Sequence, residues 1–182
     1  MVRQATAWLR FASATLLLVT PASSDEGVAM RSDDVRSVFF IARSQNKNQV
    51  HYGVHLDARC DPVGPEPVFG YWRMLENRGE IEPMLGLEAP AYGLRDSQLI
   101  GRRADSATIE VRLRAFPERP LLITVRRLNG RCEASATTAI AGSEARLHWI
   151  YVKLRWPFGI GQVLVRGWAN ADGRPVEELI EN

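Results

Sequence analysis

Alternation of apolar and polar residues predicts that most of the chain after residue 37 forms β-strands. The clearest alternation runs from Ala107 to Ala115, where apolar residues share one side and Thr, Glu and Arg residues share the other. Successive side chains of a strand point to opposite faces, so this pattern is typical of a strand with one buried face. Residues 49–56 alternate in the same way, whereas 37–43 are apolar on both faces, as expected for a central strand.

Turn signals divide the rest of the chain into further strands. Polar residues at 44–48 join the first two predicted strands into a hairpin, and a loop rich in Pro and Gly follows at 57–67. Asn129-Gly130 is a strong signal for a two-residue hairpin turn. The remaining strands are predicted at 68–73, 121–127, 132–140, 144–155, 161–168 and 175–180.

The long predicted strand at 144–155 changes phase once. Its apolar residues fall on odd-numbered positions up to Trp149 and on even-numbered positions from Ile150. A shift of one residue indicates a β-bulge, which we place near Trp149.

Residues 74–98 lack clear alternation. Pro83 suits a first helical position, Gly93 suits a C-terminal stop, and Pro90 limits what lies between them. We therefore predict one short helical segment within residues 83–93.

The fold class follows from the number and spacing of these elements. Eight or nine short strands joined mostly by tight turns favour a mainly β domain, an antiparallel barrel or a sandwich. Strands do not alternate regularly with helices, which argues against a doubly wound fold. No later linker divides the chain, so we predict one domain over residues 37–182.

Residues 1–24 have the three parts of a secretory signal peptide. Arg3 and Arg10 supply a positive start, 11–20 a short apolar core, and the sequence up to Ser24 the small residues that precede cleavage. We expect cleavage after Ser24, or alternatively after Ala22, and a flexible lead-in at 25–36. An uncleaved anchor is the other alternative, but the apolar core is shorter than the ~18 residues that span a bilayer. The mature chain is thus predicted to be periplasmic or secreted, without a transmembrane segment.

Export changes the charge balance and the expected state of the cysteines. The two arginines of the predicted signal account for the whole net charge of +2, so no net basic charge remains to favour nucleic acid. Cys60 and Cys132 remain after cleavage, and an oxidising compartment favours a disulfide between them. Two free thiols, one of them buried, are the alternative.

At this point the sequence resembles a family of uncharacterised bacterial exported proteins, the domain-of-unknown-function 4833 family. The resemblance covers about residues 38–180. Its motifs, in order, are the run from Arg43 to Tyr52, Pro67-Val68 with Tyr71-Trp72, Ala91-Tyr92-Gly93, and the region from Gly167 to Glu178 that contains Asp172-Gly173. The resemblance implies export and a mainly β domain, and it implies no activity.

One group of residues could form a ligand site. If the third predicted strand pairs with the second, aromatic rings come close to Arg and Asn donors, an arrangement that suits a small polar or anionic ligand or an envelope component. Alternatively the asparagines hold the turn backbone and an aromatic ring fills the core. The candidate residues are Arg43, Asn46, Asn48, His51, Tyr71, Trp72 and Arg73.

Two kinds of chemistry have weaker support, so we lean against an enzyme. His51 and His55 are four residues apart on one strand, about 13 Å, too far to share a metal ion. No metal or other cofactor is therefore predicted. Ser44, His51 and Asp57 are the residue types of a hydrolytic triad, but a hairpin spreads them along two strands. The leading hypothesis is a non-enzymatic binding domain; the alternatives are an envelope hydrolase that uses His51 and a purely structural surface domain.

Overall fold

The computed structural model describes residues 37–43, 46–86, 88–155 and 159–181. The predicted signal peptide and lead-in lie outside these residues. The described parts form eleven strands, a 3₁₀ turn at Leu75–Asn77 and one α-helical turn, α1 (Ala89–Tyr92). The strands are β1 (Phe39–Arg43), β2 (Gln49–Val54), β3 (Val68–Met74), β4 (Glu80–Pro83), β5 (Leu94–Arg103), β6 (Ser106–Leu113), β7 (Pro120–Leu128), β8 (Arg131–Ile140), β9 (Ser143–Arg155), β10 (Gly159–Ala169) and β11 (Pro175–Glu181).

All eleven described strands belong to one sheet with two arms that meet at β9. The first arm is β4-β3-β2-β1 and the second is β8-β7-β6-β5. β9 has 13 residues, long enough to pair with β8 near Ala145 and with β1 near Trp149 along the same edge. Its other edge pairs with β10, and β10 pairs with β11. Every pairing is antiparallel except that of β1 with β9.

The prediction of a mainly β, largely antiparallel fold is confirmed. The sheet is open, with β4 and β5 at its ends, so it is not a closed barrel. The inner faces of both arms nevertheless share one core, in which Ile41 and Tyr52 of the first arm cluster with Ile109 and Ile123 of the second. Burying each such side chain contributes roughly 1.5–3 kcal/mol to stability. The shared core is what makes the open sheet resemble a sandwich.

The bulge predicted near Trp149 is present. Arg166 of β10 lies opposite Trp149 and Gly167 lies opposite Leu147, so His148 is the extra residue of β9. A Cβ atom on Gly167 would collide with the carbonyl oxygen of Arg146, which explains the glycine at this position. The bulge turns the side chain of His148 outward, where it is exposed.

The structure corrects the prediction for residues 74–98. This stretch contains β4 and the start of β5, and the strands of the described chain number eleven rather than eight or nine. Both missed strands are at the ends of the sheet and expose most of their side chains, so neither shows clear alternation. Pro83 ends β4 and does not begin a helix, although a helical turn does lie within the predicted segment.

Local chemistry sets the limits of α1. Pro90 lies in the first turn of α1, where a proline leaves no helical hydrogen bond unmade. The N–H of Gly93 donates to the carbonyl of Ala89 at 2.8 Å and ends the turn as predicted.

Candidate functional site

Strand pairing divides the predicted ligand residues between two faces of the sheet. β2 pairs with β3, which was the condition set for the site, and His51 lies opposite Tyr71. Because side chains alternate along a strand, Tyr71 and Arg73 lie on the outer face with His51, and Trp72 lies on the inner face. Arg43 is on the inner side with Trp72, and its guanidinium carbon is 4.7 Å from the centroid of the Trp72 ring.

On the inner face, Arg43 and Trp72 pack together and form hydrogen bonds with neighbouring side chains. The Nε of Arg43 donates to the Oδ1 of Asn46 at 3.0 Å, and the indole N–H of Trp72 donates to the carboxylate of Glu88. The rings of Trp72 and Tyr92 meet edge to face at 5.4 Å. Burial raises the pKa of Tyr92, and the adjacent Arg43 opposes that rise. The neighbouring cavity measures 70 Å³, far below the roughly 300–1,000 Å³ of typical ligand pockets.

The two asparagines hold backbone groups. The Oδ1 of Asn46 also accepts the N–H of Asn48 at 3.1 Å, and the Oδ1 of Asn48 accepts the N–H of Glu76 at 3.2 Å. Asn48 is buried and joins the β1–β2 turn to the segment after β3. These contacts agree with the structural alternative for both residues.

His51 sits on the outer face with both ring nitrogens bonded. Its Nε2 is 3.0 Å from the Oε1 of Gln49, which can only accept, so the proton is assigned to Nε2. Its Nδ1 is 2.7 Å from the hydroxyl of Ser37, which then donates. Burial, together with the positive charge of Arg73, lowers the pKa of His51 from 6.5 to about 4. The imidazole is therefore neutral at neutral pH.

His51 belongs to a row of side chains that crosses six strands of the outer face. The register places them side by side in the order Tyr71, His51, Phe40, Trp149, Arg166 and Glu177. Ring centroids are separated by 5.6, 5.2 and 6.4 Å along the four rings. The guanidinium of Arg166 lies 5.3 Å from the ring of Trp149 and forms an ion pair with Glu177 at 2.9 Å. We call this set the aromatic row.

The aromatic row ends at an open cavity of 390 Å³ on the outer face. We call this cavity the Trp groove; its lining residues are His148, Trp149, Arg166, Gly167, Trp168, Pro175, Val176 and Glu177. Trp168 forms one wall and exposes 36% of its surface. His148 contacts it with ring centroids 4.6 Å apart, and Arg146 lies over it at 5.5 Å.

Sequence reasoning did not identify the Trp groove. Trp149 and Trp168 are 19 positions apart, and only the pairing of β9 with β10 brings them to one face. The phase shift near Trp149 was the available signal, because bulges redirect side chains and are frequent beside functional sites.

The residues considered for hydrolysis or for metal binding are dispersed. Ser44 lies outside the described residues. Asp57 accepts the N–H groups of Asp61 and Arg59 in its own loop, and these bonds lower the pKa of its carboxyl group. His55 is exposed and stacks on Phe69 with centroids 4.1 Å apart. In the described ranges we find no group of three or more His, Cys, Asp or Glu side chains that could hold a metal ion.

Cys60 and Cys132 are at disulfide distance, with their sulfur atoms 2.10 Å apart. The pair connects the loop between β2 and β3 to the start of β8, and so joins the two arms of the sheet. Among the described residues, no helix has the length and apolar character needed to cross a membrane.

Comparison with known proteins identifies one family for this chain. A family model described as a domain of unknown function, DUF4833, matches residues 39–179. No curated protein and no solved structure matches the chain.

Proposed function

The chain belongs to the DUF4833 family, and we propose that it is an exported, non-enzymatic domain that binds a small ligand or part of an envelope component in the Trp groove. The observation that supports this proposal is the groove itself, an open cavity of 390 Å³ between two tryptophans and an Arg–Glu pair. Ligand sites are typically concave and mostly apolar, with a few polar groups that fix orientation.

The groove favours an amphipathic ligand that contains a ring. Trp149, Trp168 and Pro175 offer an apolar surface, and the ion pair of Arg166 with Glu177 offers donors and acceptors at one edge. A sugar or an aromatic group has both kinds of surface. Trp is suited to such contacts because it combines a large rigid ring with one N–H donor.

The groove is built on paired strands, which favours binding without a large entropy cost. The Trp149 side chain is held on one side by Phe40 in the aromatic row and on the other by Arg166. A site built on paired strands holds its geometry better than one built on loops. Less side-chain ordering is then needed when a ligand binds.

Two features support export. The first is the predicted signal peptide at 1–24. The second is the Cys60–Cys132 pair at disulfide distance, because disulfides persist mainly in oxidising compartments.

Native mass spectrometry of the protein purified from an exporting host tests the proposal. We expect excess mass that disappears on denaturation, and a polypeptide mass that fits cleavage after Ser24. Trp168→Ala should lower ligand occupancy at least tenfold, since truncating a Trp at a binding hot spot costs about 2 kcal/mol or more. Leu128→Ala is the matched control, because Leu128 is 50% exposed on β7, away from the groove. Equal bound mass in Trp168→Ala and wild type, or none in wild type from several hosts, would contradict the proposal.

The hydrolase alternative rests on one contact, between Ser37 and His51. A neutral histidine beside a serine hydroxyl is the pairing a nucleophile needs. However, the second ring nitrogen faces Gln49, which is uncharged and cannot stabilise an imidazolium as a carboxylate does. A pKa near 4 also makes His51 a weak base. Covalent labelling of Ser37 by a fluorophosphonate would favour this alternative over binding.

A further inference from the structure

A second cavity lies on the outer face of the second arm, formed by β5, β6 and β7 and not by the strands of the Trp groove. It measures 380 Å³, and its lining includes three arginines and three hydroxyl side chains. The residues are Ile100, Gly101, Arg102, Arg103, Ser106, Thr108, Thr124 and Arg126. We propose that this cavity binds a tetrahedral oxyanion, a phosphate or sulfate group. The proposal is independent of the function proposed for the Trp groove.

Strand register brings Arg103 and Arg126 to the same site. Ser106 lies opposite Arg103 on β5 and opposite Arg126 on β7, so all three point to one face. Neighbouring strands are about 4.8 Å apart, which puts the two arginine backbones about 10 Å apart with Ser106 between them. Two long cationic side chains can therefore approach one anion above Ser106.

Both arginines have unused hydrogen-bonding capacity. Within the described residues, neither Arg103 nor Arg126 forms an ion pair or a side-chain hydrogen bond, although Glu133 lies opposite Arg126 on β8. Arg102, next in sequence, does have such a partner and lies 3.7 Å from Asp61. Two positive charges lining one concave surface raise the local concentration of anions.

Hydroxyl groups complete the site, and two of them lie two residues further along the strands on the same face. Gly101, Thr108 and Thr124 lie side by side in the register. In the described chain the hydroxyls of Ser106, Thr108 and Thr124 have no hydrogen-bond partner, and all three residues are half-buried. A bulge at Ile100 precedes Gly101, and the missing side chain of Gly101 leaves the floor of the cavity open.

This set of groups matches a phosphate or sulfate in charge and geometry. A guanidinium group donates two parallel hydrogen bonds to such an anion, and these charge-assisted bonds are about twice as strong as neutral ones. Hydroxyl groups supply further donors to the remaining oxygens. The same chemistry would serve a free anion or a phosphate ester of a larger molecule.

Calorimetric titration at low ionic strength, with inorganic phosphate and with glucose 6-phosphate, tests the proposal, and amide NMR shifts locate the site. We expect binding of at least one of the two, with shifts centred on Gly101 and Ser106. Arg103→Gln with Arg126→Gln should weaken binding at least tenfold, since both charge-assisted donors to the anion are lost. Tighter binding of glucose 6-phosphate would assign the site to phosphate esters, and equal binding would assign it to the anion alone.

Arg95→Gln is the control for the loss of one positive charge, since Arg95 is an exposed arginine at the far end of β5 from Arg103. Thr124→Val tests the site without changing charge and should weaken binding severalfold even if the double variant folds poorly. The proposal is wrong if neither anion binds to the wild type. It is also wrong if Arg95→Gln weakens binding as much as the double variant, because that result would indicate a general effect of charge.

Discussion

At the scale of single residues, His51 shows how burial in the sheet lowers the pKa of a side chain. The side chain is 5% exposed and lies between the rings of Phe40 and Tyr71. Both ring nitrogens have partners in the neutral form, and protonation would make Nδ1 a donor to the Ser37 hydroxyl and place a charge near Arg73. Burial is the larger cause of the lowered pKa.

This protonation makes stability depend on pH. The unfolded chain binds a proton on His51 near pH 6.5, whereas the folded chain does so only near pH 4. The contribution of neutral His51 to the free energy of unfolding is therefore fully present above pH 6.5 and is lost as the pH falls towards 4. The loss is on the order of 2 kcal/mol. Urea denaturation at pH 7.5 and 4.5 measures the loss, and His51→Gln should reduce it.

The exposed His55 provides the control for that comparison. His55→Gln should keep the pH dependence of the wild type, because His55 is outside the aromatic row and exposed. If His51→Gln and wild type lose the same stability between the two pH values, the assignment to His51 is wrong.

At the scale of elements, the last strand is held by more than its backbone ladder. Among the described strands, β11 pairs with β10 alone. Glu178 of β11 accepts two hydrogen bonds, at 2.8 and 2.7 Å, from Arg119 in the β6–β7 loop, and a third from the N–H of Ala141 at 2.7 Å. These contacts connect β11 to the second arm, through the β6–β7 loop and the end of β8.

We expect Glu178→Gln to lower the free energy of unfolding by about 1–2 kcal/mol, since it weakens a charged pair with two parallel bonds. The Arg119 hydrogen bond is the main cause that lowers the pKa of Glu178 below 4.5. The contribution is therefore present above pH 4.5 and is lost as the pH falls below that value. Glu177→Gln is the adjacent control, and its exposed pair with Arg166 should contribute less than about 0.5 kcal/mol. Equal losses in chemical denaturation of the two variants would refute the special role of Glu178.

At the scale of the whole molecule, the two arms depend on a covalent connection as well as on the shared core. Cys60 and Cys132 are 72 positions apart in sequence and lie on different arms. A crosslink over so long a loop lowers the entropy of the unfolded chain substantially.

Replacing both cysteines by alanine should therefore lower the free energy of unfolding by about 4 kcal/mol in the chain-entropy model. Guanidinium denaturation of wild type and double variant under non-reducing conditions measures the difference. Reduced wild type is the control and should match the double variant. A difference below about 1 kcal/mol would show that the bond does not form or does not restrict the unfolded chain.

The sequence by itself determined the strands in which buried and exposed residues alternate, and the turns that a few adjacent residues specify. The alternation of β6 follows directly from one buried and one open face, and the φ angles of Asn129 and Gly130, 51° and 76°, are those the predicted hairpin turn requires. The phase shift in β9 likewise predicted its bulge. The sequence placed Tyr71 near His51 only on the condition that the third strand pairs with the second, and the structure has that pairing.

The features that depend on pairing between strands far apart in sequence were decided only by the tertiary structure. β4 and β5 escaped prediction because strands at the ends of a sheet bury little on either face. The parallel pairing of β1 with β9 joins residues more than 100 positions apart, and no local pattern specifies it. That pairing places Phe40 beside Trp149 and so continues the aromatic row from β1 onto β9. A hydrophobic period records which side of a strand is buried, but the partner of each strand is chosen by the packing of the whole core.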